Sequence, residues 1–250
     1  MSSQAIPLLD RLSDQELVQL NQILDWNAYV VDSHGRRFGS AAWKGKRTEP
    51  QLVPDPRIKL LHDHLDLSNK HVLEVGCFEG IHTVGLLQYA MTVAAVDSRV
   101  ENVVKTIVRC AFFDYRPTVF VCNVEDLSAA TSLLKADVVH HVGVLYHLKD
   151  PVAHLLDLAP FVRVGMMLDT HYCLEDEAKE SYESRGQKYK FKRFTESGPR
   201  DVFSGMYDHS KWLTLDSITN ILREAGFTNT VMVETRVERN GPRVMLIVRR

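Results

Sequence analysis

The chain has no basic excess. Thirty Lys and Arg stand against 32 Asp and Glu, a formal charge of −2. The overall balance therefore does not advertise a nucleic-acid surface, although a local basic patch is compatible with it. The four cysteines, Cys77, Cys110, Cys122 and Cys173, show no metal-ligand spacing. Three lie in or beside apolar strand-like runs, so reduced and mostly buried thiols are expected, and no metal site. The absence of a signal-peptide pattern and of any long apolar span points to a cytoplasmic protein without membrane attachment. Internal repeats and low-complexity tracts are absent as well. What is present is ordinary for a globular protein: 250 residues, 45% hydrophobic and 25% charged. That length accommodates one large domain, with or without a cap, around a sizeable core.

Residues 8–25 have helical spacing, opened by Ser13-Asp-Gln-Glu16 at the interval of a capping box. From Trp26 to Pro56 the pattern turns irregular and rich in aromatics, Gly and Pro. That stretch is too aromatic for a disordered tail and is expected to be an ordered arm lying on the main domain. Helical spacing returns over 57–66. Strand and helix then alternate. Strands are expected at 71–75, 92–96, 118–122, 137–142 and 164–169. Helices are expected at 81–90, 100–110, near 128–135 and at 151–160. Such alternation implies a parallel sheet with helices on both faces, and right-handed crossovers restrict it to the doubly wound α/β class. Residues 173–211 break the alternation and contain the run Lys188-Tyr-Lys-Phe-Lys-Arg193, which reads as a solvated charge run. A helix over 214–225 stops at Gly226, and strands near 229–238 and 243–249 flank Asn240-Gly241, a hairpin signal. The expected fold is thus a mostly parallel, seven-stranded sheet with a C-terminal antiparallel hairpin. The expected division is an N-terminal helix and ordered arm covering the site over 1–67 and a cofactor-binding core over 68–172. A lid or acceptor-pocket insertion over 173–211 and the last helix and hairpin over 212–250 complete it.

The most informative segment is His71-Val-Leu-Glu74-Val-Gly76-Cys77-Phe78-Glu79-Gly80. A short apolar run ends beside an acid, a glycine-bounded turn follows, and a helix begins at Ile81. Glycines there let backbone approach a ligand closely. The dinucleotide fingerprint requires glycine at the first, third and sixth positions, which here are Gly76, Phe78 and Ile81. It fails at two of the three. What remains, acidic-x-Gly-x-x-x-Gly, resembles motif I of the class I S-adenosylmethionine-dependent methyltransferases, which usually carry a middle glycine where this chain has Phe78. Asp97 ends the second strand about twenty residues later, the spacing of a ribose-binding acid. The segment Gly143-Val-Leu-Tyr146-His147 resembles one found in several branches of that family, the tRNA wobble-uridine carboxymethyltransferase type among them. The resemblance covers roughly residues 35–250 and is strongest over 70–150.

By that resemblance the cofactor is S-adenosylmethionine, leaving as S-adenosylhomocysteine, in a Rossmann-like fold. Glu74 would orient its methionine end, with Gly76, Cys77, Phe78 and Gly80 offering backbone and His82 nearby. Asp97 would hold the ribose, with Ser98 and Arg99 alongside. Asn123 and Val124 would meet the adenine, with Glu125, Val142 and Tyr146 completing the wall. Methyl transfer from a sulfonium needs mostly positioning, but a hydroxyl acceptor benefits from a base. His147 and His171 are the candidate bases, with Tyr146 beside them and Asp169 placed to orient or replace His171. His140 and His141 lie within an apolar strand, where a packed histidine is the ordinary outcome. Trp43, Arg47 and Arg193, with Lys44 and Lys46, are the candidates to meet an acceptor, particularly an anionic group.

No Asn-Pro-Pro-Tyr or Asp-Pro-Pro-Tyr tetrad follows the fourth strand, which argues against amino-methylation of adenine or glutamine. The acceptor expected is a small or sugar-like molecule, methylated on O or N. The alternative is tRNA, possibly with a carboxylated cofactor, for which Arg37, Lys44 and Arg47 are the candidate cations. A non-catalytic S-adenosylmethionine-binding protein and a nicotinamide-dependent oxidoreductase are the remaining readings. A homodimer is left open.

Overall fold

A computed structural model of the chain describes residues 8–39, 49–127 and 132–250. At the N-terminus, helix α1 (Asp14–Ile23) opens on the capping box anticipated above. The Glu16 N–H donates to Ser13 Oγ at 3.3 Å, and the Ser13 N–H donates to the Glu16 carboxylate at 2.8 Å. A short hairpin, β1 (Val30–Val31) with β2 (Arg37–Phe38), follows. Helix α2 (Pro56–Leu65) starts with Asp55 as N-cap and Pro56 in the first turn, where a missing N–H costs nothing.

Strands β3 (His71–Val75), β4 (Thr92–Asp97), β5 (Thr118–Val121), β6 (Ala136–Val142) and β7 (Val162–His171) pair in parallel. Helices α3 (Ile81–Leu86), α4 (Val100–Phe112) and α5 (Pro151–Leu158) connect them. Helix α6 (Leu215–Glu224) leads into β11 (Asn229–Glu238) and β12 (Gly241–Arg249), which add an antiparallel pair beside β7. The sheet order is β11-β12-β7-β6-β3-β4-β5. The strand order reverses between β6 and β3, which places a crevice at the carboxyl ends of those strands. Both faces of the sheet are buried, as a parallel sheet requires. Leu73, Val75, Val96, Val139 and Met166 pack on one face with α5 and α6. Val72, Val93, Val138 and Met167 pack on the other with Ile58, Leu61 and Leu65 of α2.

Two expectations need correction. The third crossover is not helical over its described part: residues 132–135 form a turn, and 128–131 lie outside the described residues. The run Lys188–Arg193 is not simply a solvated face. It lies in β9 (Gln187–Thr195), the middle strand of an antiparallel sheet with β8 (Glu180–Ser184) and β10 (His209–Leu213). Tyr189 and Phe191 are buried in the main core, while Lys188 and Lys190 alternate outward. The period of two was written in the run and was masked by its charge.

The N-terminal segment is bound to the core through Glu79, a fully buried acid in the β3–α3 turn. Its carboxylate accepts hydrogen bonds from the N–H groups of Asn27 and Ala28, both at 2.8 Å, and from Lys105 Nζ at 3.0 Å. Arg109, also buried, reaches to 3.7 Å of the same carboxylate and donates to the carbonyls of Glu79 and Ala28. Its guanidinium lies against the rings of Trp26 and Phe38. Burial pushes the Arg109 pKa down to about 10, opposed by the Glu79 charge. Removing the acid would leave two cations buried with less compensation, so Glu79→Ala is expected to cost about 3–5 kcal/mol. Urea unfolding measures this, and a loss below about 1 kcal/mol would mean that the hub does not anchor the segment.

Candidate functional site

A cavity of about 580 Å³ opens at the carboxyl ends of β3, β4, β5 and β6. Its floor is the turn after β3. The N–H groups of Gly76 and Cys77 both donate to the Val96 carbonyl at 2.9 Å, which draws this turn against β4. Gly76 has φ +76°, and a Cβ there would come within 2.3 Å of Val144. Phe78 also lies in the left-handed region, at φ +51°. That conformation explains why glycine is usual here, and it costs a side-chain-bearing residue about 1–2 kcal/mol. The Phe78 ring packs against Phe203 with centroids 5.5 Å apart. The backbone thus follows the glycine geometry while the ring joins the pocket wall to the 198–206 segment.

Asp97 is buried at the end of β4. Its two oxygens accept from the N–H of Phe78 at 3.0 Å and of Arg99 at 2.9 Å. Burial raises its pKa despite these hydrogen bonds. Beside it, Asn102 presents a buried Oδ1 with no partner among the described residues. Glu74 is buried with one donor, the Thr83 hydroxyl at 2.5 Å, and no ion-pair partner among the described residues. Burial pushes its pKa up to about 8. An unpartnered acceptor beside Asp97 suits a ribose hydroxyl, and an uncompensated carboxyl suits an ammonium group, so these residues fit the methionine and ribose ends of the expected cofactor.

Glu74, Gly76, Cys77, Phe78, His82, Asp97, Ser98, Arg99, Asn123, Val124, Glu125, Val142 and Tyr146 all line the cavity. Gly80 does not. It is glycine because φ is +79° and because a Cβ would meet Thr106 Cα at 2.9 Å, a constraint of α3 packing on α4. Arg99 spends one amino group of its guanidinium on the carbonyls of Gly198, Asp201 and Ser204, so it also clamps the segment that closes the cavity. Glu125 accepts the N–H groups of Lys149 and Asp150 and so braces the start of α5.

His147 lines the cavity, and its Nδ1 lies 2.9 Å from Glu196 Oε1. Glu196 is buried and also accepts from the hydroxyls of Ser204 and Ser210 and the N–H of Gly205. Burial works against its charge, yet the His147 contact and these donors hold its pKa below the usual value. A carboxylate on Nδ1 fixes the tautomer of a neutral imidazole and leaves Nε2 as the acceptor. Tyr146 lies beside it, with ring centroids 4.2 Å apart; burial raises the phenol pKa, so it stays protonated.

His171 is placed differently from the expectation. It is 3% exposed and lines no part of this cavity. Its ring stacks on Trp212 at 4.8 Å, Nδ1 meets the Pro242 carbonyl, and burial lowers its pKa. Asp169 does not orient it. That buried carboxylate instead binds three guanidinium groups, Arg57 at 3.2 Å, Arg236 at 3.0 Å and Arg243. They hold its pKa low against burial. All three arginines line the cavity and were missed in the sequence, since nothing local marks them. Arg193 is exposed on β9, away from the cavity, and Arg37 lies over the Tyr29 ring. Trp43, Lys44, Lys46 and Arg47 lie outside the described residues. His140 and His141 are both buried, as their apolar strand implied. Glu74, His82 and His140 bring ligand-type atoms within 4.8 Å of one another. An Arg57 amino group 3.2 Å from His82 Nε2 works against a further cation there.

The Glu74 environment has a measurable consequence. With a pKa of about 8, the carboxyl is mostly protonated at pH 7 in the free protein. An ammonium seated against it restores ionisation, so binding of S-adenosylhomocysteine at pH 7 is expected to release close to one proton. Calorimetry in buffers of different ionisation enthalpy reads this directly, and an enthalpy independent of buffer would refute it. A raised folded-state pKa also means that ionised Glu74 opposes folding. That penalty is absent below the unfolded value of 4.5, grows as pH rises and levels off above about 8. Glu74→Gln should therefore stabilise the ligand-free protein at pH 8, by up to about 4 kcal/mol, while weakening ligand binding.

Comparison with known proteins agrees with this architecture. A methyltransferase-domain family model matches residues 47–231. The tRNA U34 carboxymethyltransferase of Methylococcus capsulatus is 31% identical over 159 residues, covering 60% of this chain and 44% of that protein. The protein of the same name from Campylobacter concisus is 25% identical over 198 residues, covering 70% and 68%. The chain spans about half the length of several of these curated relatives. Among solved structures, the N-terminal domain of EvdMO1, crystallised in the presence of SAH and D-fucose, aligns with a TM-score of 0.77 at 22% identity over 95% of this chain and 97% of that one. The 1,6-didemethyltoxoflavin-N1-methyltransferase of Burkholderia thailandensis aligns with a TM-score of 0.53 at 16% identity, over 80% and 79%. The chain therefore belongs to the methyltransferase-domain family and has the class I, S-adenosylmethionine-dependent methyltransferase fold.

Proposed function

We propose that this chain is an S-adenosylmethionine-dependent O-methyltransferase whose acceptor is a hydroxyl of a small or sugar-like molecule. The observation that carries this reading is His147 on the cavity wall, paired through Nδ1 with the buried Glu196. The bound cofactor would supply an activated methyl group on its sulfonium. Asp97 and Asn102 would hold the ribose, Asn123 and Val124 the adenine, and Glu74 the α-ammonium. His147 Nε2 would take the acceptor's proton, and Glu196 would stabilise the resulting imidazolium across Nδ1. An amine acceptor arriving neutral would not need a buried carboxylate committed to orienting a histidine. A solved relative in fold was crystallised with D-fucose present, which supports a sugar-like acceptor.

Transfer to tRNA is the second reading. The names of the curated relatives favour it, as do Arg57, Arg236 and Arg243, which would suit a carboxylated cofactor. Against it, those guanidinium groups are matched by Asp55, Asp169 and Glu238, and the net charge of −2 offers little to a polyanion.

The test uses methyl-labelled cofactor with a panel of hexoses and 6-deoxyhexoses, including D-fucose, and with unmodified bulk tRNA. Label in a sugar is expected; label in tRNA alone would overturn the reading. With the sugar that accepts label as substrate, His147→Ala should lower turnover by about 100-fold or more and Glu196→Gln by about 10-fold. Calorimetric binding of S-adenosylhomocysteine should be unchanged in both. Full activity in His147→Ala would remove the base from the scheme.

A further inference from the structure

A second cavity, of about 250 Å³, adjoins the first, and Tyr146, His147, Phe203, Ser204 and Asn240 line both. His147 therefore stands at the junction of the two spaces. The second cavity is bounded by the end of β9 and by the hairpin tip Arg239-Asn240, the two residues between paired Glu238 and Gly241. We propose that this second cavity is the acceptor subsite and that it takes one uncharged, hydroxylated six-membered ring. This rests on the O-methyltransferase reading and deepens it.

Four observations converge. First, the wall supplies ring surface. Phe194 stacks on Trp212 at 4.7 Å with planes 12° apart, and Trp212 stacks in turn on His171. The three-ring stack makes the wall rigid and explains why His171 is buried there rather than facing a ligand. Phe194 and Phe203 line this wall, and apolar rings suit the CH face of a pyranose. Second, hydrogen-bonding groups face this space without partners. The side chains of Thr195, Arg239 and Asn240 have none among the described residues, and together they offer donors and acceptors to ring hydroxyls. Third, the charges balance. Arg239 and Asp201 both line this space, one charge of each sign, and Glu196 is committed to His147. A phosphate or a nucleic-acid backbone would find no cationic excess there. Fourth, the volume lies below the roughly 300–1,000 Å³ of drug-sized sites, so it suits a single ring or the terminal ring of a larger molecule.

The geometry also assigns the specificity residues. Arg239 and Thr195 line the second cavity and not the first, so they read the acceptor without touching the cofactor. The experiment is a comparison of wild type with the double variant Arg239→Ala, Thr195→Val. Both side chains are exposed, so the fold should be retained. The readouts are calorimetric binding of S-adenosylhomocysteine and steady-state methyl transfer to the preferred member of the hexose panel. The variant should bind S-adenosylhomocysteine as the wild type does and show a KM for the sugar raised about tenfold, with kcat within about threefold. An unchanged KM would put the acceptor elsewhere while leaving the O-methyltransferase reading intact. Methylation of none of the sugars would overturn both. Failure of the wild type to bind S-adenosylhomocysteine would mark the cofactor assignment, not the subsite, as the error.

Discussion

The site depends on one buried carboxylate that never touches it. Glu79 sits in the cofactor turn with its side chain pointing away from the cavity, into a cage of two backbone N–H groups and two cations. On its inner side the same turn presents Gly76, Cys77 and Phe78 to the cavity. Holding the outer side by charge fixes the inner side by backbone. A burial of this kind is costly when incomplete and rigid when satisfied, because the low dielectric strengthens each hydrogen bond. It also explains the aromatic N-terminal segment. Trp26 and Phe38 cover Arg109, so these two rings seal an ionic hub.

Asp169 has the corresponding role on the far side of the cavity. It ties α2 through Arg57, β11 through Arg236 and β12 through Arg243 to the end of β7. The antiparallel hairpin is thereby registered against the strand that runs alongside β6. Its tip, Arg239-Asn240, is carried to the edge of the second cavity by that registration. Two carboxylates, one on each side, thus position the β3–α3 turn and the β11–β12 hairpin.

What could be read from the sequence follows from how local each signal is. Glu74, Asp97 and Asn123 were legible because each ends a short apolar strand, and strand ends of a parallel sheet converge on one crevice. The sheet itself was legible for the same reason, since period-two and helical patterns alternate through residues 71–171. Glu196 was not legible. It lies 49 residues beyond His147 and meets it through the fold of β9 alone. Arg57, Arg236 and Arg243 come from three distant elements and share only Asp169. His171 misled because a histidine at a strand end has the same sequence signature whether it faces a ligand or stacks beneath a tryptophan. Gly80 misled in the milder sense that its glycine serves the packing of two helices.

The place of His147 follows from these constraints together. It follows β6 in a single 3-10 turn, Leu145–His147, so its backbone is delivered by the parallel sheet like the other strand-end residues that line the cavity. Its ring, however, is oriented by β9, an element outside that sheet. The Gly205 Cα lies so close that an added Cβ would fall 2.3 Å from the His147 carbonyl. Arg99, at the cofactor end, clamps the same 198–204 segment. The segment whose Ser204 donates to Glu196, the partner of His147, is thus held by a residue two positions from Asp97. A rearrangement of 198–204 would disturb the Arg99 and Glu196 contacts together, since one short segment carries both. The walls of the two cavities are therefore mechanically joined through Arg99, Ser204 and Glu196, with His147 where the two spaces meet.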